Sequence, residues 1–311
     1  MTRKARIAAA VMAALLAQVA GTDAATAQVK TLGMPTGAPA SREGDTSRGR
    51  TVRTDAKPLS PYKIILVGDS TMAPTSGWAS IFCAHHVKSS VACLNLGRGG
   101  RSTRSYRQEG SWDGALAEAK VPGYHATYVL IQFGHNDQSS ASERWTEMDK
   151  EFPGNLRRMV EEVRAVKAVP VLVTPLTRRE FVGGKLNNTL EPWAEKVRGV
   201  ARTLKVPLVD LNASSASAVQ QMGAEPAMAL AQTAPNEAER AAARSGTTLK
   251  PRTAEEARLP PVPTMPDGPH GQFTRKFDYT HIGDAGAEVF AALVARDLAR
   301  AVPDLRSQIA P

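Results

Sequence analysis

Apolar residues in the middle of the chain fall into short unbroken runs separated by stretches of helical spacing. Residues 64–67, 91–96, 127–133, 169–174 and 206–211 are runs of four to seven positions, mostly β-branched or aliphatic. Runs of that length without polar alternation predict strands buried on both faces, as in a parallel sheet. Between them, helical spacing predicts helices over 78–87, over 155–166 through Leu156, Met159, Val160 and Val163, and over 192–204. Val289, Phe290, Leu293, Val294 and Leu298 mark the inward face of a final helix. Strand and helix alternate, so residues 62–303 read as one α/β domain around a doubly wound, five-stranded parallel sheet.

Two segments break this pattern. Residues 28–61 are rich in Gly, Pro, Ser, Thr and charge, which predicts a flexible leader unable to bury a core. Residues 223–277 carry Ala-rich, charged and Pro-rich tracts such as Leu259-Pro260-Pro261-Val262-Pro263, with no strand and one candidate helix near 236–244. They read as an irregular insertion, and a loop of that length in a small domain is either functional or mobile.

The N-terminus changes the picture of where the protein works. Arg3, Lys4 and Arg6 precede an apolar run over 7–20, and Ala25-Thr26-Ala27 fits the small-x-small cleavage pattern. Residues 1–27 therefore read as a cleavable signal peptide, giving a secreted or periplasmic protein. The run is too short to span a bilayer, which takes roughly 20 residues, so no membrane span is expected. Cleavage would lower the formal charge from +9 to 36 − 29 = +7. That balance suits an anionic partner such as an acidic polysaccharide or a cell surface, with a merely soluble basic surface as the alternative. The basic residues are scattered and no nucleic-acid motif accompanies them, so no nucleic-acid partner is expected. Cys83, near the end of the first helix, and Cys93, in the returning strand, fall at similar heights on antiparallel paths. A disulfide is feasible there, and two buried free thiols are the other reading.

Candidate chemistry collects at the carboxyl ends of the strands, where open parallel sheets bind ligands. Gly68-Asp69-Ser70 follows the first strand, Gly97-Arg98-Gly99-Gly100-Arg101 the second, and Gly134-His135-Asn136-Asp137 the third. Asp278-Tyr279-Thr280-His281 precedes the final helix. A serine hydroxyl is a weak nucleophile until a base removes its proton, and an imidazole, with an ordinary pKa of about 6.5, suits that task. Asp278, three residues before His281, can hold the other ring nitrogen. The oxyanion of a tetrahedral intermediate needs donors, which the Ser70 and Gly100 N–H groups and the Asn136 amide could supply. Each piece alone has a bland reading: a turn, a phosphate loop lacking the P-loop lysine, a metal loop lacking further ligands, a helix cap.

Together the four blocks resemble the SGNH (GDSL-type) hydrolase superfamily, with Ser70, Gly100, Asn136 and His281 in the four named positions and Asp278 completing a triad. Within it the chain looks most like the rhamnogalacturonan acetylesterases. The signs are Gly68-Asp69-Ser70-Thr71-Met72-Ala73 with Thr71 in place of the commoner Leu, then Gly77-Trp78, the stretch 99–110, and Ile131-Gln132-Phe133-Gly134-His135-Asn136-Asp137. The resemblance covers about 62–212 and 276–300. It implies a flavodoxin-like three-layer α/β/α sandwich without metal or other cofactor, and removal of acetyl groups from pectic polysaccharide through an acetyl-serine intermediate. The length of 223–277, just before Asp278, departs from the family. Other readings are a lipase, arylesterase or thioesterase of the same superfamily, or a non-catalytic polysaccharide-binding protein. No obligate protein partner is evident.

Arg98, Arg104 and His135 are the candidate substrate-binding residues. Arg98, Arg101, Arg104 and Arg107 could meet uronate carboxylates or brace the second block, and bracing is favoured for Arg101 through Asp69 or Glu109. Tyr106 and Trp112 could stack on sugars, with core packing as the stronger reading. Asp69 and Asp137 read as loop braces.

Overall fold

The computed structural model describes residues 61–139, 141–249 and 277–310. The expected signal peptide, the leader up to residue 60 and residues 250–276 of the expected insertion lie outside these. Five parallel strands form the main sheet in the order β2-β1-β3-β4-β7: β1 (Tyr62–Gly68), β2 (Val91–Asn95), β3 (Thr127–Gln132), β4 (Val169–Val173) and β7 (Leu208–Val209). A two-residue hairpin, β5 (Phe181–Val182) with β6 (Lys185–Leu186), stands apart from it. The chain moves out from β1 to β2 on one side and returns to β3 on the other. The carboxyl ends of β1 and β3 therefore flank the switch point at which such sheets bind ligands.

Alternation along the strands splits the apolar side chains into two cores. Ile64, Leu66, Tyr128, Leu130, Val171, Val173 and Val209 face one layer, packing against α1 (Ala79–Ile81, continued by a π-helical turn Phe82–His86), α6 (Leu211–Met222) and α9 (Asp284–Ala301). Ile65, Val67, Val129, Ile131 and Leu172 face the other, against α3 (Ser111–Lys120), α4 (Glu151–Ala165) and α5 (Glu191–Leu204). This is the expected α/β architecture, with helices on both faces of a parallel sheet. Cys83 and Cys93 form a disulfide, Cα atoms 5.6 Å apart, between the π-helical turn and β2. Closing so short a loop contributes about 2–3 kcal/mol.

Helices absent from the sequence reading are those with weak apolar periodicity. The turn α2 (Thr103–Gln108) and α3 bury Tyr106, Trp112, Ala115 and Ala119, and two alanines give little hydrophobic signal. In α6 the buried set is Leu211, Asn212, Ser215 and Val219. Its buried polar residues pair instead of stacking apolar area: Asn212 Nδ2 donates to Pro175 O at 2.8 Å, and Thr177 N–H to Ser215 Oγ at 3.1 Å. Residues 223–249 hold the candidate helix as α8 (Glu237–Arg244), and where an irregular path was expected they add α7 (Ala224–Ala227) and a 3-10 turn Met228–Leu230. Asn236 and Glu239 cap α8 reciprocally, a local signal that outweighs the low apolar content. The fifth strand is shorter than the predicted 206–211, because Asp210 caps α6 at once, accepting from Ala213 N–H. Among the described residues no helix is long and apolar enough to cross a membrane.

Candidate active site

β1 ends in a tight turn. The Met72 and Ala73 N–H groups donate to Asp69 O at 3.2 and 3.0 Å. The Asp69 carboxylate, fully buried, accepts from Thr71 N–H and Thr71 Oγ1 at 2.9 and 2.8 Å. Thr71 Oγ1 in turn accepts from Gln132 Nε2 at 2.6 Å, and Gln132 Oε1 from Trp78 Nε1 at 2.9 Å. A leucine at 71 would keep the N–H bond to Asp69 but lose both bonds of the hydroxyl, to Asp69 and from Gln132, so the departure from the commoner residue has a visible reason. Gly77 closes the turn because a Cβ there would lie 2.3 Å from the Thr71 carbonyl. Asp69 thus braces the loop, and Ser70 is left at the strand's end. Among the described residues no group hydrogen-bonds Ser70 Oγ or accepts from the Ser70 N–H.

The second and third blocks close around it. A Cβ on Gly99 would stand 3.8 Å from Ser70 Cβ, so this loop lies directly against the serine. Gly100 has φ +76°, a conformation that favours glycine, and its N–H has no acceptor among the described residues. Asn136 Nδ2 donates one hydrogen to Arg101 O at 3.1 Å, leaving its second N–H for a ligand. His135 is buried with Nδ1 3.2 Å from Asp69 Oδ2, and its Nε2 has no partner among the described residues. Burial alone would raise the Asp69 pKa. The charge and hydrogen bond of His135, with the Thr71 donors, outweigh it and hold the carboxyl below its ordinary range.

The fourth block supplies the ring. Asp278 Oδ2 is 2.7 Å from His281 Nδ1, and Asp278 Oδ1 accepts from the Thr280 and His281 N–H groups at 2.7 and 2.6 Å. Burial pushes the Asp278 pKa upward, but the His281 hydrogen bond and charge, then these two N–H donors, leave it lowered. Nε2 of His281 has no hydrogen-bond partner among the described residues, and the side chain is 37 % exposed. Ser76 ties this loop to the serine: its hydroxyl donates to Ser70 O at 2.7 Å, and its carbonyl accepts from Ile282 N–H at 3.2 Å.

The arginines of the second block are held by carboxylates. Arg101 pairs with Glu109 at 2.8 Å and donates to Gly99 O, and Arg98 reaches Ser111 Oγ at 2.8 Å and Glu109 at 3.4 Å. Arg104 forms a two-pronged pair with Glu151 at 2.7 and 2.6 Å, and Arg107 a similar one with Glu162 at 2.6 and 2.9 Å. The partners of Arg104 and Arg107 lie at the start and in the last turn of α4, so these arginines staple α2 along that helix. Tyr106 and Trp112 are each 1 % exposed and belong to the core.

Asp137, fully buried, accepts from Thr103 N–H, Thr103 Oγ1 and Thr146 Oγ1 at 3.1, 2.6 and 3.1 Å, joining the third block to the start of α2. Its Oδ2 has no partner among the described residues. Burial pushes its pKa up to about 7 from an ordinary 3.8, against the lowering effect of the threonine donors. The folded state therefore binds the proton more tightly, so Asp137's contribution is fullest below pH ~4 and declines as pH rises through ~7. Asp137→Asn should flatten that decline and raise stability at pH 8, by on the order of 2 kcal/mol. Thermal melts at pH 5 and pH 8 check this; equal shifts at both would contradict it.

Two residues central to this geometry left no mark in the sequence reading: Arg178 and Arg179, after β4. Arg178 Nε donates to Thr280 Oγ1 at 3.1 Å and Nη1 to Thr189 Oγ1 at 3.0 Å. Gln138 Oε1, turned toward the guanidinium, accepts from Arg178 Nη1 and Nη2 at 3.0 and 3.1 Å. The segment after β4 therefore joins the third block to the fourth. A consecutive arginine pair with no period or motif gives no local signal of such a role. Among the described residues no cluster of His, Cys, Asp or Glu is arranged to hold a metal ion.

A serine, a carboxylate-held imidazole and N–H donors without acceptors among the described residues collect at one edge of a doubly wound sheet, an arrangement chemically suited to acyl transfer. Residues 66–289 match the GDSL-like lipase/acylhydrolase family. The chain belongs to that family and is by class a serine esterase. Rhamnogalacturonan acetylesterase RhgT of Bacillus subtilis (strain 168) is 34 % identical over 173 residues, spanning 53 % of this chain and 71 % of that protein. A rhamnogalacturonan acetylesterase of Emericella nidulans is 42 % identical over 113 residues, 36 % of this chain and 42 % of that one. Among solved structures, the Bacillus subtilis protein YxiM superposes with TM-score 0.56 at 22 % identity, over 78 % of this chain and 58 % of that one. A catalytic mutant of Axe2, an acetylxylan esterase from Geobacillus stearothermophilus, gives 0.50 at 16 % identity, over 78 % and 96 %. These two likenesses concern the fold.

Proposed function

We propose that this protein is an exported carbohydrate O-acetylesterase that removes acetyl groups from rhamnogalacturonan- or pectin-type polysaccharide. The observation that carries the reaction is the meeting of the Asp278–His281 pair, Ser70 and unengaged N–H donors at one sheet edge. The substrate rests on the relatives whose names specify rhamnogalacturonan, and export rests on the N-terminal sequence.

In the mechanism, Ser70 Oγ attacks the acetyl carbonyl carbon as His281 Nε2 takes the hydroxyl proton. Asp278 holds Nδ1–H and stabilises the imidazolium. The Ser70 and Gly100 N–H groups and the Asn136 amide receive the oxyanion. Collapse breaks the bond to the sugar oxygen, which leaves with the proton from His281. Water, deprotonated by His281, then attacks the acetyl-serine; acetate departs and the proton returns to Ser70. His135 orders Asp69 beneath this site. Arg98 and Arg104 could meet substrate only by sharing or leaving their carboxylates. Arg144 is less committed: its guanidinium lies against Gly100, with a Cβ there 3.7 Å from Nη1, and its ion pair is with exposed, adjacent Glu143. Among the described residues it is the cation best placed to meet a uronate carboxylate.

Acetate release from acetylated rhamnogalacturonan, acetylated xylan and a short aryl acetate tests the reading. The pectic substrate should be hydrolysed fastest. Release confined to the aryl acetate would keep the mechanism and discard the polysaccharide, and preference for xylan would reassign the substrate.

A further inference from the structure

The mechanism above makes no use of Arg179, although among the described residues this is the most deeply buried cation near the site. It is 1 % exposed, and among the described residues it pairs with no carboxylate within ion-pair distance. Burial lowers its pKa to about 10, so it stays charged at neutral pH. A buried guanidinium is costly to keep, and here its hydrogen bonds go to backbone. Nη2 donates to Asp278 O at 3.0 Å and to His281 O at 2.8 Å, and Nη1 to Thr280 O at 3.4 Å. The backbone N–H of the same residue donates to Tyr279 O at 2.9 Å. Every backbone carbonyl from Asp278 to His281 thus accepts from Arg179. The N–H groups of Thr280 and His281 are meanwhile taken by the Asp278 carboxylate. One planar, rigid fork bridges three of these four carbonyls, which a flexible ammonium could not do.

We propose that Arg179 is a positioning residue for the esterase, clamping the Asp278–His281 turn so that the imidazole faces Ser70 and placing a fixed positive charge beside the pair. The proposal rests on the Ser70–His281–Asp278 mechanism. Among the described residues the other charged groups around the turn are Arg178 and Glu180 from the same segment, Glu239 from α8, and Asp69 with His135 from the ends of β1 and β3. Arg178 reinforces the clamp from the other side through Thr280 Oγ1.

The test compares kcat, KM and the pH profile of kcat/KM on an aryl acetate for wild type, Arg179→Met, Arg179→Lys and His281→Ala. Arg179→Met should lose about 10–100-fold in kcat with little change in KM, since a displaced base acts only in the chemical step. Removing the cation also favours the imidazolium, so the acid limb should move up by about 0.5–1 pH unit. Arg179→Lys keeps the charge but cannot bridge the carbonyls. It should lose kcat with the limb unmoved, and it carries the test if the Met variant does not fold. Wild-type kcat in folded Arg179→Lys would overturn the clamp. Loss of kcat in Arg179→Met without a shift of the limb would reduce Arg179 to a structural role and overturn the charge effect. If His281→Ala is inactive while the Arg179 variants behave as wild type, the clamp alone fails. If His281→Ala is active, the triad fails and the clamp with it.

Discussion

Ser70→Ala should abolish acetate release, by about 10⁴-fold or more in kcat, while leaving the fold and its melting temperature essentially unchanged. The structural half follows from what the hydroxyl does not do: among the described residues Ser70 Oγ bonds to nothing. The link to Ser76 runs through the Ser70 carbonyl, and the packing against Gly99 through Cβ. Both survive in alanine, so the stability change should stay within about 0.5 kcal/mol. Circular dichroism and a thermal melt beside the assay check both halves. Substantial turnover by a folded Ser70→Ala protein would remove Ser70 as nucleophile, and loss of the fold would mean that the hydroxyl is structural.

Asp278→Asn should cost about 10³–10⁴-fold in kcat. An asparagine oxygen can still accept from the Thr280 and His281 N–H groups, so the turn should persist. Its amide nitrogen would then face His281 Nδ1 and donate to it. The ring would be forced into the tautomer with the proton on Nε2, where it cannot accept from Ser70. Because Asp278 sits below the ordinary carboxylate range, it is ionised throughout a neutral assay. Single-turnover kinetics on an aryl acetate would show slow acylation with KM little altered. An active Asp278→Asn enzyme would point to another partner for the ring.

Both variants probe residues that could be read from the chain itself. Ser70, Gly100, Asn136, Asp278 and His281 each lie within a short contiguous stretch whose local chemistry is unusual for a turn. The strands that carry the first three are continuous apolar runs, which need no tertiary information to recognise. Helices α2, α3 and α6 escaped notice because alanine, asparagine and serine on their buried faces carry little hydropathy contrast.

The order of blocks along the chain, together with strand periodicity, determined the parallel sheet and the edge at which the chemistry collects. Backbone periodicity and turn chemistry are local, and a sequence states them directly. Only the tertiary structure decided which charges meet. Arg104 and Arg107 were legible as cations near the second block, but their carboxylates, Glu151 and Glu162, come from α4, 47 and 55 positions along the chain. Arg179 lies 99 positions before Asp278, whose carbonyl it holds. A long side chain takes the partner that folding brings within about 3 Å, and no local pattern encodes that choice.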